Sequence, residues 1–476
     1  MLLCALVGVT LPVQAQQGID EATLRQRMAQ AEGKPPEQYR KETISLSTAL
    51  GTYLQREFHR GPDYRIVNGN GPYQHQNGRV ADKIWDQSAN GLTVISPPLG
   101  LGRPHARTVT ISRAQEGWRM ASLDTDGFGV VEYVDAQTYR PVRDERLTSI
   151  GKIVTTFGDY RTIAGYTMPF KITEDNQIEG VRTESDVATF DSRPIIDSDI
   201  AIPPSRNFID FPAGGAPVVL PAAFDLPRIE VTVGIGEKKL KFLLDTATRG
   251  ITLDVDVARQ LGLTSKYLQV IVPEMHVGPL TMHNVVTDLA HVTSIERIDD
   301  QAVGLLGTDF FRGAGITVDF VNKRATAVPA DKLTPKMTPD SDIMLLSFSD
   351  RLPVVTSRIN GALAFHMLLD DSAPADVVIF GSFLRRYPEI AATNISRLET
   401  AAIYPGASLP DAKGIKVAEV LIGKYSFEVV DATIVGAMKG YPLDADGLIG
   451  YKLFDEFALA FDYAGGKLYI IHHPPK

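Results

Sequence analysis

A short stretch around Glu21 to Glu32 has the spacing of a helix, and beyond it apolar and polar residues alternate over a long part of the chain. Residues about 43 to 192 alternate between Gly-, Asn- and Asp-rich turns, as in "GVVEYVDAQTYRPVRDERL", where Val130, Val131, Tyr133 and Val134 precede a turn at Asp135. This predicts a mostly antiparallel sheet. The stretch "IPPSRNFIDFPAGGAPVVLPAAFDLP" holds neither periodicity for long, which places a boundary near residue 215. A second linker, "VPADKLTPKMTPDSD" at 328 to 342, separates two further blocks of strand-like segments. The expected organisation is mainly β: a leader at 1–15, an antiparallel-sheet domain at 16–215, and two β-barrel-like lobes at 216–335 and 336–476.

The two blocks repeat. "LPRIEVTVGIGEKKLKFLLDTATRGITL" from Leu226 and "LPVVTSRINGALAFHMLLDDSAPADVVI" from Leu352 match without a gap at an offset of 352 − 226 = 126. "GLLGTDFFRGAGITVDFVNKRATAV" from Gly304 and "GLIGYKLFDEFALAFDYAGGKLYII" from Gly447 match at 447 − 304 = 143. The first offset pairs Asp245 with Asp371, Thr246 with Ser372 and Ala247 with Ala373. Counting from the turn glycines Gly236 and Gly361 pairs Asp245 with Asp370 instead. The ungapped offset and the hydroxyl residue that follows select Asp371, and Asp370 is then expected on the opposite face of its strand. Between the two ends, turns at Gly278 and Gly423 join strand pairs that are expected to cover a cleft.

Two homologous lobes, each with an apolar strand, an Asp-Thr/Ser-small turn and a later apolar-apolar-Gly triplet, resemble the aspartic protease family in its pepsin-like and retropepsin-like forms. The resemblance covers residues 225 to 473. It implies a catalytic pair, Asp245 and Asp371, with Thr246 and Ser372 hydrogen-bonding across the pair, and Ala247 and Ala373 where the family has glycine. It also implies a single-chain monomer, since one chain supplies both halves, with a polypeptide substrate and no cofactor. Two close carboxylates share one proton: one activates a water, and the other protonates the scissile carbonyl oxygen. The alanines leave a second outcome, an inactive periplasmic binding or scaffold protein for a peptide or apolar ligand.

Composition narrows the partners. The chain has 476 residues, 44% hydrophobic and 22% charged, and a net charge of −9, with no long Lys/Arg cluster to track phosphates, so nucleic acid is not expected. "MLLCALVGVTLPVQAQQ" has an apolar run too short to span a bilayer, followed by Val13 and Ala15 at signal-peptidase positions. Cleavage after Ala15 would remove Cys4, the only cysteine, and start a periplasmic or secreted chain at Gln16. The nine histidines lack metal-ligand spacing. Asp319 and Asp462 are expected at hairpin turns, Trp85 and Trp118 in cores or on sheet faces, and His472 and His473 in no role. "YVDAQTYRPVRDERL" and "DYRTIAGYTMPFKI" faintly resemble periplasmic lipoprotein carriers, which implies a concave sheet for an apolar ligand. A third reading makes this domain a substrate receptor or an inhibitory partner of the lobes.

Overall fold

The computed structural model describes residues 19–97, 106–224, 228–263, 265, 268–292, 301–370, 376–392, 397–398, 402–404, 407–408 and 412–473. The leader with Cys4, Val13, Ala15 and Gln16 lies outside them, as do Asp371, Ser372 and Ala373. The fold is mainly β. The longest helix among the described residues, Glu21–Glu32, begins where Asp20 Oδ1 accepts the backbone N–H of Thr23 at 2.7 Å, and ends at Gly33, whose φ of 76° suits a residue without Cβ.

Thirteen strands between Gln38 and Asp191 form one antiparallel sheet. Chain neighbours pair, apart from Thr93–Ser96 and Thr108–Ala114 at the two edges, and the first strand, Gln38–Ser47, also pairs with the last, Val181–Asp191, so two meanders join at mid-sheet. Leu24 of the helix lies against Trp118, Met120 and Val134. Burying such a side chain contributes about 1.5–3 kcal/mol. Trp85 and Trp118 are both buried, as their composition class predicts.

Each block forms a sheet of the same topology. In the first, Lys238–Leu244 lies antiparallel to Glu230–Ile235 and parallel to Ala302–Leu306, which also pairs with Ile251–Asp254. In the second, Ala362–Asp370 lies antiparallel to Leu352–Ile359 and parallel to Gly447–Gly450, which also pairs with Val377–Phe380. The duplication read from the sequence is therefore a duplication of architecture. A six-stranded sheet joins the halves through Ala314–Asp319 and Phe457–Asp462, in which Ile316 faces Phe461, Thr317 faces Ala460 and Val318 faces Leu459. Because 460 − 317 = 143, the repeat offset, a pseudo-two-fold axis passes between Thr317 and Ala460. Asp319 and Asp462 cap turns by accepting from the N–H of Asn322 at 2.9 Å and Gly465 at 2.7 Å.

The expected cleft-covering turns lie elsewhere. A Cβ at Gly278 would meet Pro221 at 3.2 Å, and one at Gly423 would meet Asp342 Oδ2 at 2.2 Å, so both tips sit on the edges of the six-stranded sheet. Short strands at Val218–Val219 and Asp342–Leu345 form those edges and offer the backbone that the tips cover.

Candidate functional site

Strand register decides which carboxylate answers Asp245. Leu243 faces Leu305, Leu244 faces Leu306, and the N–H of Asp245 continues the ladder by donating to Leu306 O at 3.1 Å. In the second lobe Leu368 faces Leu448, Leu369 faces Ile449 and Asp370 faces Gly450. Ile449 corresponds to Leu306 at the offset of 143, so Leu369 corresponds to Leu244 and Asp370 to Asp245. Side chains alternate accordingly: Leu244 and Leu369 enter the large common core, and Leu243 and Leu368 enter smaller clusters on the other face. Asp370 is 1% exposed, and its charge acts directly on Asp245, which is 4% exposed. The expectation that Asp370 points away from the site is thus corrected.

No single ungapped offset fits both strands, because a β-bulge interrupts the second. Val355 pairs with Met367 but Ser357 pairs with Ala364, so Thr356 alone opposes Phe365 and His366. The hairpin ends correspond at 362 − 238 = 124 and the aspartates at 370 − 245 = 125, so the Leu-Pro match at 126 fits neither strand. Asp446 stabilises the bulge, with Oδ2 accepting the N–H of Phe365 at 2.8 Å and of His366 at 3.1 Å. Arg386 pairs with the other oxygen of this fully buried carboxylate.

Asp245 is held on both oxygens. The N–H of Ala247 donates to Oδ1 at 2.8 Å, and Thr248 Oγ1 donates to Oδ2 at 2.6 Å. Thr246 Oγ1 crosses between lobes and donates to the carbonyl of Leu369, the residue before Asp370, at 2.9 Å. Ala247 is not among the residues with positive φ, so its Cβ brings no left-handed strain. The glycines of "GLLG" and "GLIG" have a steric cause: a Cβ at Gly304 would meet the Phe242 ring at 2.1 Å, at Gly307 the carbonyl of Thr248 at 2.3 Å, and at Gly447 the carbonyl of Val378 at 2.0 Å. At these three positions the backing strands leave no room for a side chain, and at Gly307 the close neighbour is the aspartate loop itself.

Burial, then the nearby charge of Asp370, pushes the Asp245 carboxyl up to about 6, while Thr248, the buried Arg228 and the Ala247 N–H pull it down. The folded chain therefore holds this proton more tightly than the unfolded chain. The resulting stability is full below the ordinary carboxylate value of 3.8 and is lost as pH rises through about 6. Asp245→Asn should accordingly stabilise the protein by about 1–3 kcal/mol at pH 7, with the difference vanishing near pH 4. Urea unfolding at the two pH values checks this, and equal gains at both would contradict it.

Sequence reasoning missed Arg228, Thr248, Asp446 and Tyr441. Tyr441 Oη donates to Asp370 Oδ2 at 3.1 Å, and its ring meets Phe380 edge-on at 6.2 Å. The repeated tripeptide Leu243-Leu244-Asp245 and Leu368-Leu369-Asp370 was the available signal for Asp370. Among the described residues no group of three or more His, Cys, Asp or Glu could hold a metal ion. No helix among them is long and apolar enough to cross a membrane.

No protein-family model matches the chain, and no curated protein matches it in sequence. Several solved structures are similar to part of it. A LolA superfamily protein from Nitrosomonas europaea is 10% identical, covering 38% of this chain and 98% of its own, with a TM-score of 0.30. An aspartic proteinase from Irpex lacteus is 14% identical, covering 54% and 97%, with a TM-score of 0.36. Basic 7S globulin from soybean, also 14% identical, covers 54% and 96% with a TM-score of 0.35.

Proposed function

We propose that the chain is an exported aspartic endopeptidase whose acid and base are Asp245 and Asp370. The observation that carries this is their equivalence: two buried carboxylates end corresponding strands of duplicated lobes, and one raises the proton affinity of the other. Residues 216–335 and 336–476 act as the lobes. One carboxylate takes a proton from water as its oxygen attacks the scissile carbonyl carbon. The other gives its proton to the carbonyl oxygen. Collapse of the tetrahedral intermediate breaks the C–N bond, and the leaving amine takes a proton from the pair. The fixed orientation of Asp245 and the Thr246 bridge keep the geometry that this requires. Export rests on the apolar leader followed by Val13 and Ala15.

The test uses the chain beginning at Gln16 and an unfolded, carboxymethylated polypeptide between pH 3 and 7, with fragments identified by mass spectrometry. Cleavage with an acidic-to-neutral optimum is expected. If no fragment forms while the protein binds the polypeptide or an apolar ligand, the binding or scaffold function replaces this proposal.

A further inference from the structure

Tyr441 does more than touch Asp370. It lies in a loop from the second lobe that is fastened to the aspartate loop of the first, and we propose that residues 438–443 are a closed lid on the Asp245–Asp370 pair, with Arg249 as its catch. This inference deepens the endopeptidase proposal and rests on it for its functional meaning.

The loop turns tightly, with the N–H of Tyr441 donating to Met438 O at 3.4 Å and Gly440 at a φ of 85°. That turn aims the Tyr441 hydroxyl at Asp370 Oδ2, 3.1 Å away, while Met438 and Ala445 sink into the cluster that includes Phe380 and Leu368. Arg249, four residues beyond Asp245, reaches across the lobes. Its Nη1 donates to Gly440 O at 2.7 Å, its Nη2 pairs with Asp350 Oδ2 at 2.6 Å, and its Nε donates to Asp350 O at 3.0 Å. Asp350 and Arg351 carry φ values of 45° and 68°, a left-handed turn built without glycine. Such a turn costs on the order of 1–3 kcal/mol per residue and persists where surrounding contacts hold it, here the fork of Arg249. A charge pair between Lys439 and Glu179, 3.8 Å apart, links the same loop to the amino-terminal sheet, but both side chains are exposed and it adds little.

A hydroxyl that donates to Asp370 occupies the oxygen that a bound water or a substrate carbonyl must reach. The lid must therefore lift before the pair can work. Arg249 and Tyr441 are thus elements of access, and neither takes part in bond breaking.

The test reads access to the carboxylate without requiring turnover. A small epoxide is opened by a carboxylate oxygen to form an ester, the alkoxide taking a proton from water, and the rate at Asp370 is followed by peptide mass mapping. The full chain is compared with Tyr441→Phe, which keeps the ring against Phe380, and Arg249→Gln, which keeps Tyr441 and weakens only the catch. Each variant should be esterified at Asp370 about tenfold faster or more, as expected for the loss of a hydrogen bond to a charged group. Equal rates in both variants and wild type would overturn the lid, even if the wild type cleaves polypeptide. Faster labelling in variants that cleave nothing would uphold the lid and overturn the endopeptidase.

Discussion

Asp370→Asn is expected to lower kcat/KM for cleavage of an unfolded polypeptide by roughly 10³-fold or more if the proposed endopeptidase reading holds, and Asp245→Asn should do the same. The double variant is no worse than either single one. Amidation of either partner removes the acid or the base, and a water left beside a single carboxylate cannot be both deprotonated and matched to a protonated carbonyl. The informative control is Asp371→Asn, which should keep most of the activity, because strand register gives the position opposite Gly450 to Asp370. The assay compares initial rates at pH 5 with far-ultraviolet circular dichroism to show that each variant is folded. Loss of activity in Asp371→Asn alone, with Asp370→Asn unimpaired, would return the site to the register that the Leu-Pro match implies.

Much of this molecule can be read from letters alone, and the residues show where reading fails. The alternation around Val130 to Val134 emerges as the strand Gly129–Asp135, and the helix expected near Glu21 occupies Glu21–Glu32. The downstream repeat aligned correctly because Gly304, Gly307 and Gly447 are fixed by steric contact and tolerate no slip. The upstream repeat slipped because the Leu-Pro match at 126 fits neither strand: the first corresponds at 124, and the second, beyond a bulge opposite Thr356 that no Gly or Pro marks, at 125. Its stability comes from Asp446, eighty residues further along, and from Arg386, neither of which a local window contains. Arg228 and Tyr441 were equally hidden. Arg228 comes beside Asp245 when the hairpin of Glu230–Ile235 and Lys238–Leu244 closes, and Tyr441 comes beside Asp370 only after strands distant in sequence have paired.

The second large effect concerns the attachment of the amino-terminal sheet. Asp86→Ala should destabilise the protein by about 3–5 kcal/mol, because Asp86 Oδ1 pairs at 2.6 Å with Arg312, whose side chain is 1% exposed. Removing the carboxylate leaves the guanidinium buried beside the Phe348 ring, 5.5 Å from its centroid, with its main counter-charge gone. Arg312 lies on the short helix Thr308–Gly313 that directly follows the backing strand Ala302–Leu306, so the amino-terminal sheet grips the element behind Asp245. Asn90 strengthens the grip: its side chain accepts the N–H of Val286 at 2.7 Å and donates to Val286 O at 3.1 Å and Asp309 Oδ2 at 2.6 Å. Arg385 ties the second lobe to Asp124 at 2.7 Å. The sheet and the lobes should therefore unfold in one transition in urea, and Asp86→Ala should either lower its midpoint sharply or split it in two. Asp86→Leu with Arg312→Met removes both charges and should recover most of the loss, since the cost lies in the unpaired charge more than in the absent pair. If Asp86→Ala stays within about 0.5 kcal/mol of wild type, the ordinary range for a surface substitution, the contact carries no load and the sheet is an independent unit.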